Sequence, residues 1–157
     1  MTLTIQSSAF AQGQPIPRRY SGQGEDISPP LSWSGIGEGA KELAMIVDDP
    51  DAPTAQPWVH WVIYKIPPDA AGLAEGIAAD AELTSPAGAF QGRNTSGDIG
   101  YHGPMPPRSH GVHHYHFKLY ALDTQLELKA GADKQALLAA MEGHVVGQGE
   151  LVGTYQR

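Results

Sequence analysis

Nine consecutive residues, WVHWVIYKI at 58–66, are mostly β-branched or aromatic and run directly into Pro67-Pro68. Side chains of this kind suit a pleated, half-buried surface, and a proline pair cannot continue a ladder, so the segment can only be a strand with a hard stop. Two further segments resemble it. ELAMIVDD, residues 42–49, is a short apolar run bounded by breakers, as expected of a buried strand, and HHYHFKLYALD, residues 113–123, is a second strong strand. LTIQSSAF at 3–10 alternates and reads as a strand, and ELVGTYQ closes the chain as another. Helical periodicity is confined to ADKQALLAAMEGH, residues 132–144, where Leu137, Leu138 and Met141 share a face and Asp133 falls near the N-terminus.

The connecting segments carry most of the nineteen glycines and thirteen prolines. Residues 69–82 read as mostly loop, broken by Gly72 and Gly76, and residues 88–107 as one long structured loop. Loops of that length inside compact domains tend to be functional. Strands joined by turns, with one late helix, predict an all-β sandwich or barrel. At 157 residues the chain is expected to form one domain spanning 1–157 with a core of its own.

A net charge of −7 argues against nucleic acid, which requires a basic surface, and against electrostatic docking to anionic membranes. With no cysteine, disulfide and thiolate chemistry are excluded. The start MTLTIQSSAF has neither the basic residues nor the apolar stretch of a secretion signal, and no run reaches membrane-spanning length. The expectation is a soluble cytoplasmic chain with no integral membrane segment.

Two segments carry the candidate chemistry. In the first, the strand 42–49 ends in DDPDAP, where Pro50 and Pro53 stiffen a corner holding Asp49 and Asp51. Aspartates in such corners bond backbone N–H groups, so both could be purely architectural. A glycosidase pair would need carboxylates farther apart, and a calcium loop would need flexibility where proline stands. Strict alternation along 58–66 puts Trp58, His60 and Val62 on one face and Val59, Trp61 and Ile63 on the other. An aspartate beside His60 would favour its imidazolium and fix its tautomer.

The second segment, GYHGPMPPRSHGVHHYHF at 100–117, holds five of the seven histidines. His114 and His116 share one strand face, and His113 and Tyr115 the other. A His-x-His pair is the start of a metal site, but it needs two more ligands that the sequence does not place. The alternative leaves His114 and His116 in solvent, while Gly103, Pro104, Pro106 and Pro107 deliver rigid backbone beside His113 and Tyr115.

DPDAP at 49–53, WVHW at 58–61, GYHGPMPP at 100–107 and HHYHF at 113–117, followed by LYALD and ELVGTYQR, together resemble the phosphatidylethanolamine-binding protein family, also called Raf kinase inhibitor proteins, in its short bacterial branch. The resemblance runs from ISPPLSW to the terminus. It implies a mainly β fold: a β-sandwich of antiparallel sheets with Greek-key connections, one short helix near the C-terminus and a small anion pocket. Matched residue by residue, it places Asp49, Asp51, Pro53, Trp58 and His60 in that pocket, completed by Gly103, Pro106, Pro107, His113 and Tyr115. It implies phosphate or a phosphorylated head group such as phosphoethanolamine as the ligand, no cofactor and no catalytic residue.

Where the family usually has His-Arg-Tyr, this chain has His113-His114-Tyr115, so a permanent charge is replaced by one that exists only when His114 is protonated. Met105 and His102 also depart from the usual residues at the rim. The expected mechanism is that Asp49 and Asp51 charge His60 and His113. These then donate to the anion alongside Tyr115 and loop N–H groups, and binding weakens as the histidines deprotonate. Three functional classes follow: a small-ligand binding protein; an interaction protein of the kinase- or serine-protease-inhibitor kind, with a protein partner and an apolar patch near the rim; and an acid/base or metal-dependent enzyme. The binding protein is the leading expectation, and a homodimer is compatible with it.

Overall fold

The computed structural model describes residues 2–157. Its strands are β1 (Thr4–Gln6), β2 (Leu31–Ser34), β3 (Glu42–Asp49), β4 (Trp58–Ile66), β5 (Gly72–Leu73), β6 (Glu82–Thr84), β7 (Ala87–Gln91), β8 (His113–Leu122) and β9 (Val145–Tyr155), with a short 3-10 turn at Arg18–Tyr20 and an α-helix, α1 (Lys134–Met141), before the last strand. Six strands form a sheet in the order β6-β7-β4-β3-β8-β9, and three form a second in the order β1-β2-β5. Every neighbouring pair is antiparallel. In the large sheet β3, β4 and β7 lie side by side and β8 returns to the far side of β3, which is the Greek-key order.

The large sheet is covered on both faces, and this explains the unbroken apolar run at 42–49. Leu43, Met45 and Val47 pack with Ile5, Leu31, Trp33 and Leu73 of the small sheet. Ala44 and Ile46 point the other way, against Leu137 and Met141 of α1. All eight residues of β3 are therefore buried, acids included. Asp133 caps α1 by accepting from the Ala136 N–H at 2.9 Å. Lys134 in the first turn reaches back to the buried Asp48 at 2.8 Å. Leu138, expected on the buried face, stands at its margin and is exposed.

Several boundaries differ from expectation. β1 stops at Gln6, because the Ser7 hydroxyl accepts the Ala9 N–H and turns the chain. The loop regions carry short strands: β5 within 69–82, and β6 and β7 before residue 92. The last strand begins at Val145, well before Glu150. Gly149 is needed where the N-terminal segment crosses β9, since a Cβ there would lie 2.3 Å from the Leu3 carbonyl oxygen. No helix among the described residues is long and apolar enough to cross a membrane.

Candidate functional site

At one end of the sandwich, the corner after β3, the start of β4, the loop 102–107 and the start of β8 enclose a cavity of about 310 Å³. Asp49, Pro53, Trp58 and His60 line it from the first motif. Gly103, Pro106, Pro107, His113 and Tyr115 line it from the second. Ala52, Thr54, Ser96, His102 and Met105 also contribute. Of these, Ala52, Thr54 and Ser96 carried no sequence signal, because they are small residues in loops whose direction only the fold sets.

Asp51 is the correction. Its side chain lies outside the cavity wall, on the opposite side of the corner, where one carboxylate oxygen accepts both the backbone N–H and the Nδ1–H of His114, at 2.8 and 2.7 Å. Burial raises the Asp51 pKa, but the two hydrogen bonds from His114 outweigh it and leave the carboxyl below its ordinary value. His114 thus pairs with an acid on the outer face of the corner. His116 pairs separately with Glu150 at 2.5 Å. Each of the proposed metal histidines has its own carboxylate, and among the described residues no group of three His, Cys, Asp or Glu side chains is placed to hold a metal.

His60 departs from strict alternation. β3 and β4 pair as Val47↔Trp61 and then Asp48↔Val59, so His60 is an extra residue, a β-bulge. The bulge turns its ring away from Val62, which faces α1, toward the inner face, where it meets Tyr115 edge-on at 5.1 Å between ring centroids. No aspartate pairs with it. Its Nδ1 lies 2.7 Å from the His102 carbonyl oxygen, to which it donates, and the His102 N–H donates to the His60 carbonyl at 2.9 Å. Burial lowers the His60 pKa, and the bond to the His102 carbonyl offsets only part of that. His60 is therefore a neutral ring with Nε2 turned from its carbonyl partner and unengaged by protein, contrary to the expected imidazolium.

Asp49 instead serves His113. His113 is 1% exposed, and its Nδ1 donates to the Asp49 carboxylate at 2.6 Å. The other Asp49 oxygen accepts the Asp51 N–H at 2.8 Å, which shapes the corner. Nε2 of His113 does not open on the cavity either; it meets Nδ1 of His110 at 2.6 Å. The sequence had counted His110 only as one of many histidines.

The proline loop is held from outside. Gly103 donates its N–H to Asp26 at 2.6 Å, and a Cβ there would sit 2.1 Å from the Tyr20 carbonyl oxygen. Its N–H is thus not available to a ligand, contrary to the expectation that loop N–H groups donate there. Pro104 and Pro106 accept from Gly22 and Arg157. Prolines at 104, 106 and 107 leave Met105 as the one residue of 104–107 with an N–H. Tyr115 is 1% exposed, yet its hydroxyl engages no protein partner among the described residues and it faces the cavity. Burial, reinforced by Asp49 and Asp51, holds its pKa far above the ordinary value of 10.0, so the hydroxyl keeps its proton.

The strand order defines a Greek-key β-sandwich, with a proline-walled cavity lined by His and Tyr side chains at one end. Residues 6–156 match the phosphatidylethanolamine-binding protein family, and the chain belongs to it. A "UPF0098 protein" of Methanothermobacter thermautotrophicus is 52% identical over 155 residues, covering 99% of both chains. Among solved structures, the homolog CT736 from Chlamydia trachomatis is 44% identical with a TM-score of 0.88, covering 99% of this chain and 98% of its own. YbcL of E. coli, described as a member of the mammalian PEBP family, is 31% identical with a TM-score of 0.90 over 99% and 98% of the two chains.

Proposed function

We propose that the chain is a non-enzymatic binding protein for small phosphate-type anions, phosphorylated head groups such as phosphoethanolamine among them. The observation that carries this reading is a donor and an acceptor that face one cavity without a hydrogen bond to protein among the described residues: the Tyr115 hydroxyl and His60 Nε2, with walls of Trp58, Pro53, Pro106 and Pro107. Both atoms open on the hollow, so a ligand seated there meets one donor and one acceptor in a preformed pocket. The Tyr115 O–H donates to an anionic oxygen. Neutral His60 accepts, so the ligand must bring a proton, as a monoprotonated phosphate does. Phosphate esters lose that proton near pH 6, and affinity therefore falls as pH rises through about 6. The ligand's own titration sets this trend, not the charging of His60.

A cavity of about 310 Å³ suits a head group and leaves lipid tails outside. Calorimetric titration with phosphoethanolamine tests the reading, with Tyr115→Phe losing roughly 10- to 100-fold in affinity, the range for a hydrogen bond to a charged group. Equal binding by wild type and Tyr115→Phe, or affinity flat from about pH 5 to 8, would overturn it. A second reading, a protein partner seated over the rim, is favoured by Met105, which lines the cavity yet is 48% exposed, and by Val112, next to His113 and 47% exposed. Catalysis has less support: among the described residues, no hydroxyl lining the cavity is hydrogen-bonded to a histidine or carboxylate there. The cytoplasmic setting expected from the sequence belongs to this proposal.

A further inference from the structure

His110 is bonded to the one cavity histidine that a ligand would need next. With Asp49 accepting from Nδ1 of His113, the only free position on that ring is Nε2, and His110 Nδ1 occupies it at 2.6 Å. Two ring nitrogens that close hold a single proton between them. Whether His110 donates to His113 or the reverse, Nε2 of His113 is taken in both arrangements. The bond is made from a weakly held segment. Residues 107–112 are all exposed, and the backbone hydrogen bond within them, from the His110 N–H to Pro107, is 3.3 Å long. His110 stands between two left-handed residues, Ser109 at φ 62° and Gly111 at φ 92°. In contrast, the preceding proline loop is clamped to Asp26, Gly22 and Arg157.

We infer that His110 is a built-in competitor for the ligand: it caps His113 Nε2 in the free protein, and a phosphate-type anion that engages His113 displaces it by swinging the 108–112 loop. This rests on the proposed phosphate site and adds a specificity-determining residue to it. The charged and titratable groups around the His110–His113 pair are Asp49 on β3, Asp51 in the corner, His60 on β4, Tyr115 on β8 and Arg108 on the same loop. The single P–O–H of a monoprotonated ester is committed to His60, so at His113 the proton shared with His110 stays on Nε2, and the freed N–H donates to an anionic oxygen. A ligand too large to enter beneath the loop, or one lacking an oxygen for His113, leaves His110 in place.

The apparent affinity of such a site is reduced by the work of displacing the cap, which is about one hydrogen bond. His110→Ala should therefore bind phosphoethanolamine and inorganic phosphate roughly 2- to 10-fold more tightly than wild type. In wild-type protein, the His110 imidazole NMR signals should move to an exposed, unbonded position as phosphoethanolamine saturates the site. Unchanged affinity in His110→Ala together with unmoved His110 signals at saturation would overturn the inference while leaving the Tyr115-dependent site standing. Absence of binding by both wild type and His110→Ala would remove the phosphate site and the cap with it.

Discussion

The corner after β3 contains the same chemical pair twice, with opposite surroundings. Asp49 holds Nδ1 of His113 at 2.6 Å, and Asp51 holds Nδ1 of His114 at 2.7 Å. The histidines are adjacent on β8, so the pleat sends one inward and the other outward; Asp49 ends β3 facing inward, and the turn after it carries Asp51 to the outside. The inner side chains are 2% and 4% exposed, the outer 50% and 41%. Equal distances thus mean unequal consequences: water screens the outer pair and competes for its hydrogen bonds, whereas the inner pair has no substitute partner.

The largest expected effect breaks the inner pair. Asp49→Ala leaves a buried imidazole without its acceptor and frees the Asp51 N–H, and should cost about 3–5 kcal/mol in urea unfolding. Asp51→Ala should cost at most about 1 kcal/mol under the same conditions. Similar losses for the two would mean that burial does not separate the pairs. Next in size is a pH effect beside the inner pair. Burial lowers the His60 pKa, so the unfolded chain binds its proton more readily. The stability that neutral His60 contributes is complete above its ordinary value of 6.5 and is lost as pH falls from there through the lowered folded value. His60→Gln should flatten that part of the stability–pH curve, and an unchanged slope would count against a neutral His60.

In the outer pair, only Asp51 carries a pH effect of this kind. Asp51 is held below its ordinary 3.8, so its contribution is present above that value and disappears as pH falls through the lowered one. Asp51→Asn should differ from wild type by less at pH 3 than at pH 7, read from thermal unfolding. The smallest expected change is His114→Arg, which restores a permanent charge: a gain of about 0.5 kcal/mol or less, largest where His114 is neutral. A gain confined to acid pH would show that the histidine's charge does not matter there.

Much of this architecture was legible because it rests on local pattern. β3 and β4 begin and end where the apolar runs meet aspartate, proline and loop residues. β8 alternates as its register on β9 requires, with His113 and Tyr115 inward and His114 and His116 outward. The cavity's walls were legible through two motifs whose prolines restrict the backbone wherever they occur. Less visible were features that depend on a partner distant in sequence. Nothing in WVHW announces that His60 is a bulge; that follows from the two-against-one pairing with β3. Nor does the sequence show why Gly149 is needed in β9: the reason, a crossing chain at Leu3, lies far away.

The sequence by itself determined the kind of chain this is: strands where β-branched and aromatic residues run between breakers, one helix where a 3.6-residue pattern appears, and two motifs that had to meet. These are nearest-neighbour effects of sterics and burial, and they need no knowledge of the final contacts. Only the tertiary structure decided the chemistry of the site. It assigned Asp49 to His113 and Asp51 to His114, left His60 with a carbonyl instead of a carboxylate, and laid His110 over the last free nitrogen of His113. Protonation and hydrogen bonding depend on which groups lie within about 3 Å and how much water remains between them, and folding alone sets both.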